Sequence, residues 1–429
     1  MFELNEREND KEEKMTSRDR VLATLNHKEP DRVPIDFGGT AVTGIAAIAY
    51  HRLKEYLGIQ SGHTRIIDIT QQLAQPEDEI LDRFHVDVLD IGRAYNVNDE
   101  DWYDVNVYGT DVQYPVWFKP SYNEEGYYEI IDEGIVLARM PKNGYFFDQT
   151  YYPYLEGYPE DFSNFPTALR KTPGYHCPPP PFDNMKQKRF WQNLRETAKR
   201  VKEQTKKILT INVGGGLFES GYGMRRLDKF LIDIFRNPSQ VEKFIDVIQE
   251  FNMATLSIIC KNLGDVIDII RIGDDLGGND GPFFSPQTYR NLFKPYLTEM
   301  CDYIKKHSSM KIFFHSCGSI YPLIPDLIEA GIDILNPVQI NIKYMEPKKL
   351  KAEFGDSLTF WGAGADVRNV VSRKTPSEIK KHVQELLDIY SPGGGFVWGT
   401  IHNITPEILP QNIVAMFEAV QEYNDQNSQ

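Results

Sequence analysis

The chain has 429 residues, 62 acidic against 47 basic, a formal net charge of −15, and four cysteines. The acidic balance excludes a nucleic-acid partner, which needs a basic face, and no run of eighteen apolar residues is present to span a membrane. Such a length buries a sizeable core as one large α/β barrel or as two smaller domains.

The highly charged start, MFELNERENDKEEK, has no apolar stretch of the kind a signal peptide needs, so residues 1–15 are expected to be a disordered leader and the protein to be cytoplasmic. Short Val- and Ile-rich runs then alternate with helical patterns. Eight runs read as strands, at 32–38, 86–92, 208–214, 266–274, 311–317, 332–338, 358–364 and 395–402. This alternation predicts α/β architecture, a single (β/α)8 TIM-type barrel over residues 16–425. Residues 95–185 break the rhythm with Tyr, Trp, Phe, Asp and Pro, and are expected to form a β-rich insertion over the barrel mouth. Its aromatic side chains either line a pocket or pack the excursion itself. Further on, Ser285 before Pro286 marks a helix start, Pro295 predicts a kink in that helix, and Thr375 with Glu378 predicts a capping box. Cys177, Cys260, Cys301 and Cys317 show no framework spacing, so reduced thiols are expected.

The strand at 311–317 ends in His-Ser-Cys. Alternate residues of a strand share a face, so Phe313, His315 and Cys317 point one way while Ile312 and Phe314 point the other. An imidazole and a thiol at the C-terminal end of a barrel strand lie where active sites of this architecture sit, and zinc accepts both donors. His402, on the face of Phe396, Trp398 and Thr400, and Glu219, just past the strand at 208–214, are the further candidate ligands. Of nine histidines, only His315 and His402 end expected barrel strands. The competing reading is a buried cysteine and a histidine that only hydrogen-bonds.

Asp274 and Asp275 end another strand, as general acid or base or as caps of the turn DLGGNDG, with function favoured for Asp274. Asn336 and Gln339 read equally as substrate contacts or turn formers, and Trp398 as a substrate contact or barrel packing. Gly214, Gly215 and Gly216 lack the Lys-Ser or Lys-Thr of a phosphate loop and read as close backbone approach.

The stretches TSRDRVLATLNHKEPDRVPIDFGG, HSCG, GIDILNPVQ and GGGFVWGTIHNITPEILPQNIVAMFEAV resemble the uroporphyrinogen decarboxylase superfamily, from about residue 16 to the C-terminus. The resemblance implies a (β/α)8 barrel and one of two chemistries: metal-free decarboxylation of a tetrapyrrole, or zinc-dependent methyl transfer involving a corrinoid. The arginine-bearing signature of the decarboxylases is replaced here by DFGGTAVTGIAAIAYHRL. His315 and Cys317 match the methyltransferase zinc ligands, but no cysteine follows Cys317, and His402 stands where the later thiolate is expected. His402 also matches a decarboxylase histidine. The expectation is a zinc methyltransferase that moves methyl between a small methylated substrate and the cobalt of a separate corrinoid protein, with a homodimer possible. The alternatives are a decarboxylase and a non-catalytic corrinoid- or tetrapyrrole-binding barrel.

Overall fold

A computed structural model describes residues 15–427, so the leader expected over 1–15 lies, apart from Met15, outside the described residues. Seven parallel strands form one sheet: Val88–Asp90, Ile208–Gly214, Ile269–Gly273, Lys311–His315, Ile334–Asn336, Thr359–Trp361 and Phe396–Val397, each hydrogen-bonded to the next in that order. The extended segment 33–37 fills the remaining gap. Trp398 donates to the Pro34 carbonyl at 2.9 Å and Asp36 to the Trp398 carbonyl at 2.8 Å, while Asp87 donates to the Ile35 carbonyl on the other side. The barrel is therefore closed, and all eight expected runs supply its staves.

Strand parity sorts the core into two. Val88, Ile208, Ile269, Phe313, Ile334, Trp361 and Val397 contribute to one inner cluster, and the intervening apolar residues, such as Ile270, Ile312 and Phe314, pack against the helices in a second. Val21 and Leu25 of the helix Ser17–Leu25 belong to the inner cluster. That helix thus plugs the floor of the barrel. Arg20 holds it there, bonding Asp31 and the fully buried Asp87.

Above the apolar layer the next inward positions are polar, among them Arg271, His315 and Asn336. The helix expected from Ser285 starts as read, with the Ser285 hydroxyl accepting from the Thr288 amide. It divides into Pro286–Leu292 and Lys294–His307, because Pro295 has no N–H and crowds the preceding turn. The capping box of Thr375 and Glu378 is formed.

Between the strands Val88–Asp90 and Ile208–Gly214 the chain builds a β-rich insertion. Trp102–Val107 and Thr110–Pro115 form a hairpin, and four short strands from Ser121 to Gln149 form an antiparallel sheet. The Phe147 amide bonds the Thr70 carbonyl and the Tyr154 amide the Met224 carbonyl, which ties the insertion down over the mouth. Both readings of its aromatic residues hold at different positions: Phe146 and Tyr152 line a cavity, while Tyr114, Phe118 and Phe165 are buried packing.

Candidate metal centre and substrate cavity

The barrel mouth opens into a cavity of about 750 Å³, lined by barrel residues including Glu219, Arg271, Asp275, His315 and His402 and by insertion residues including Phe146, Tyr152 and Tyr175. His315 and His402 line it, and with Cys317 beside them each offers a ligand atom, all within 4.8 Å of one another. Their convergence has three separate local causes.

His315 is the last residue of its strand and is 3% exposed. Its Nδ1 lies 2.7 Å from Asn336 Oδ1. Asn336 Nδ2 donates to the Trp361 carbonyl at 3.0 Å, which fixes the amide, so the facing oxygen can only accept. The proton of His315 therefore sits on Nδ1, and the bare Nε2 faces the cavity, 3.4 Å from Cys317 Sγ. Burial and the charge of Arg271 push the imidazole down to about 3, which keeps it neutral and able to act as a ligand.

Cys317 follows in an irregular turn. Its amide donates to Asp275 Oδ1 at 2.8 Å, and Gly318 beyond it has φ 93°, with its missing Cβ position only 2.1 Å from the Gly277 carbonyl oxygen. Only glycine permits that approach. Gln339 accepts from the Gly318 amide at 2.9 Å and so clamps the same turn. Burial and the nearby Asp275 hold the thiol well above its usual range.

His402 arrives by a bend. Phe396 and Trp398 face the helices, whereas Val397 faces inward, so strand alternation does not aim His402. The strand stops at Val397 and the chain turns through Ile401 and His402, bringing the two imidazole rings to a centroid separation of 5.8 Å.

The other sequence candidates are sorted by the same geometry. Asp275 points inward, with Oδ1 3.5 Å from His315 Nε2. Asp274 lies on the opposite face of its strand and accepts from the amides of Leu217, Phe218 and Glu219 at 2.7–3.0 Å. It is a cap for the helix Leu217–Arg225, placed there by parity, and the preference for Asp274 over Asp275 is corrected. Glu219 rides on that helix into the cavity wall but is not one of the three clustered donors. Burial, then Asp275 and Asp274, raise its carboxyl well above the usual range. Asn336 and Gln339 stand behind His315 and Cys317 and not at the cavity surface. Trp398 is corrected too: it is fully buried, bonds the Gly364 carbonyl and packs on Phe417. Of the glycine run only Gly216 shows the expected close approach, a Cβ there meeting the Gly273 carbonyl oxygen at 2.7 Å, whereas Gly214 and Gly215 have positive φ and no such neighbour.

Two arginines, Arg226 and Arg271, also line the cavity and were not among the sequence candidates. Arg271 was legible. It shares its inward parity with Ile269 and Asp275, and the same counting that aimed His315 also aims it.

The donor set is compatible with zinc. Sulfur and nitrogen ligands at tetrahedral angles, with bonds of about 2.3 and 2.0–2.1 Å, stand about 3.5 Å apart; Cys317 Sγ and His315 Nε2 are 3.4 Å apart. Three protein donors leave the open position that a catalytic site needs.

Residues 179–423 match the family model described as uroporphyrinogen decarboxylase (URO-D). Among curated proteins, the uroporphyrinogen decarboxylase of Pseudomonas fluorescens (strain Pf0-1) is 25% identical over 223 residues, covering 51% of this chain and 57% of that protein. That of Pseudomonas putida is 27% identical over 164 residues, covering 37% and 43%. The chain thus spans about half the length of the curated relatives it matches. A solved structure described as a methyltransferase from Methanosarcina mazei shares the fold with a TM-score of 0.57 at 17% identity, over 96% of this chain and 99% of that one.

Proposed function

The chain belongs to the uroporphyrinogen decarboxylase (URO-D) family, and we propose that within it the protein is a zinc-dependent methyltransferase. The methyl group would pass between a small methylated substrate in the mouth cavity and the cobalt of a corrinoid carried by a separate protein. The observation that carries this reading is the convergence of His315, Cys317 and His402. The solved methyltransferase structure that shares the fold agrees with it. A zinc ion held by those residues would supply a Lewis acid that stabilises a thiolate or alkoxide.

The remaining roles belong to the chain's own side chains. Asn336 fixes the tautomer of His315. Asp275 anchors the Cys317 turn and faces His315. Glu219, whose carboxyl burial raises well above its usual range, would hold a proton at the cavity wall for a departing alkoxide or amine. The insertion's aromatic residues would exclude water from the bound substrate.

A metal-free decarboxylase is the second reading, favoured by the names of the curated relatives. A polycarboxylate tetrapyrrole needs an excess of cations, and the cavity sets Arg226 and Arg271 against Asp68 and Asp275, with Arg226 already paired with Asp228, so no excess is left. The charge balance thus weighs against it. A purely binding barrel is weighed down by the donor cluster itself, which such a role does not require.

Elemental analysis of the purified protein beside Cys317→Ala and His402→Ala tests the reading. About one zinc per chain, lost in both variants while the fold survives, is expected. Protein purified without chelators that carries no metal, or variants that keep it, would move the assignment to the decarboxylase.

A further inference from the structure

Arg271 stands on the inner face of the strand Ile269–Gly273, directly opposite Phe313 in the ladder and two residues before the position paired with His315. Its side chain lines the mouth cavity. Its Nε is buried and has no hydrogen-bond partner. Among the described residues the guanidinium enters neither a side-chain hydrogen bond nor an ion pair. Arg271 is half-buried at the cavity wall, and a guanidinium with a buried, unpartnered Nε is ordinarily satisfied by a fork of acceptors.

The nearby acids Glu219, Asp275 and Asp68 act on Arg271 through their charge, but none of them bonds its guanidinium. Asp68 accepts from the amide and the side chain of Gln71. Asp275 accepts from the Cys317 amide. Glu219 accepts from the Tyr222 hydroxyl at 3.4 Å, and burial favours its neutral form. Arg226, the other arginine at the cavity, is exposed and already grips Asp228 through Nε and an Nη. Arg271 is therefore the one cation lining the cavity, among the described residues, whose donors are free for a ligand.

We infer that Arg271 is the seat of an oxyanion on the substrate, so that the methylated compound taken by this cavity carries a carboxylate at the end away from its methyl group. The guanidinium fork binds a carboxylate bidentately and fixes its direction. The charge sits near the donor cluster, since the strand of Arg271 pairs with that of His315 and both side chains line the same cavity as His402. A carboxylate on Arg271 therefore sets a small molecule across the cavity with its far end toward that cluster. Phe146, Tyr152 and Tyr175 supply aromatic wall for the body of such a molecule. The inference rests on the reading of this cavity as the substrate site.

The test uses the protein as purified, with its metal, and two pairs of probes that differ only in charge: methoxyacetate with methoxyethanol, and para-anisate with para-anisyl alcohol. Calorimetric binding is measured for wild type, Arg271→Gln and Arg271→Lys, with metal content and Tm recorded on the same samples. In at least one pair the carboxylate is expected to bind about tenfold or more tightly than its alcohol, and Arg271→Gln to erase that preference. Arg271→Lys, which keeps the charge without the fork, should retain part of it.

Carboxylates that bind no better than alcohols in both pairs overturn the inference, as does a preference that survives in Arg271→Gln. A Gln variant with a lowered Tm and lost metal also overturns it, because Arg271 would then be a counter-charge for the cavity's own acids. An unpaired buried charge predicts the reverse, a Tm unchanged or raised. Wild type without metal that still selects carboxylates through Arg271 would sink the zinc reading and leave the oxyanion seat standing.

Discussion

Asn336 decides what His315 can do. An imidazole with free choice of tautomer presents a bare nitrogen to the cavity only part of the time, whereas the Asn336–Trp361 bond leaves one arrangement. Asn336→Ala should therefore weaken zinc binding about 10–100-fold with the fold retained, read by competition with a chromophoric chelator. Unchanged affinity would reduce Asn336 to packing. Individual residues were legible wherever side-chain parity was followed through a strand. It aimed His315 correctly, and it separates Arg271 and Asp275, inward, from Asp274, outward, while Cys317 is placed by the turn beyond the strand. It failed at His402, because a glycine-rich strand end can bend and the count of alternation stops with the ladder. The duty of Asn336 toward His315 is set by contact between strands, and no pattern within GIDILNPVQ encodes it.

The helix Leu217–Arg225 depends on a residue 57 positions away from its first amide, since its own N-cap position is Gly216 and offers no side chain. Asp274→Ala leaves three amides without their acceptor and should cost about 2–3 kcal/mol in urea unfolding, with Asp274→Asn costing less. A null result would mean that water replaces the carboxylate freely. The helix Ile324–Ala330 offers a pH test far from the cavity. Burial raises the Asp326 carboxyl, but bonds from Arg290 and Lys294 outweigh it and hold the group below the usual carboxylate range. Its stabilisation is then full above about pH 4, the unfolded value, and is lost as pH falls through the lower folded value. Arg290 is half exposed, so solvent screens the pair. Asp326→Asn should lose on the order of 1 kcal/mol at pH 7, with the gap to wild type closing below pH 4. A gap that stays constant with pH would exclude the ion pairs as its source. Elements with their own punctuation were readable, as Ser285, Pro295 and Thr375 show, whereas the insertion carries turn residues and aromatics without a period and revealed only its β character.

At the scale of the whole molecule, stability and chemistry occupy opposite ends of one barrel. The floor is apolar and plugged by Val21 and Leu25, while the mouth is polar and carries the donor cluster. Leu25→Ala should lower unfolding free energy by about 2–5 kcal/mol and leave metal content per folded chain unchanged. A loss of metal in folded Leu25→Ala protein would show the two ends to be coupled. Eight apolar runs were enough to announce this architecture because each stave buries both faces.

Closure by residues 33–37 against Trp398 has a further consequence. The first stave must wait for the last, so a growing chain carries an open sheet until Trp398 has been made. Val33 and Asn424 bond across 391 positions, and Trp361 reaches Asp36 across 325. His402 is made after His315 and Cys317. The three-donor pocket thus comes into being only once the last stave has been made, so a cation cannot be captured by all three on a chain still short of it.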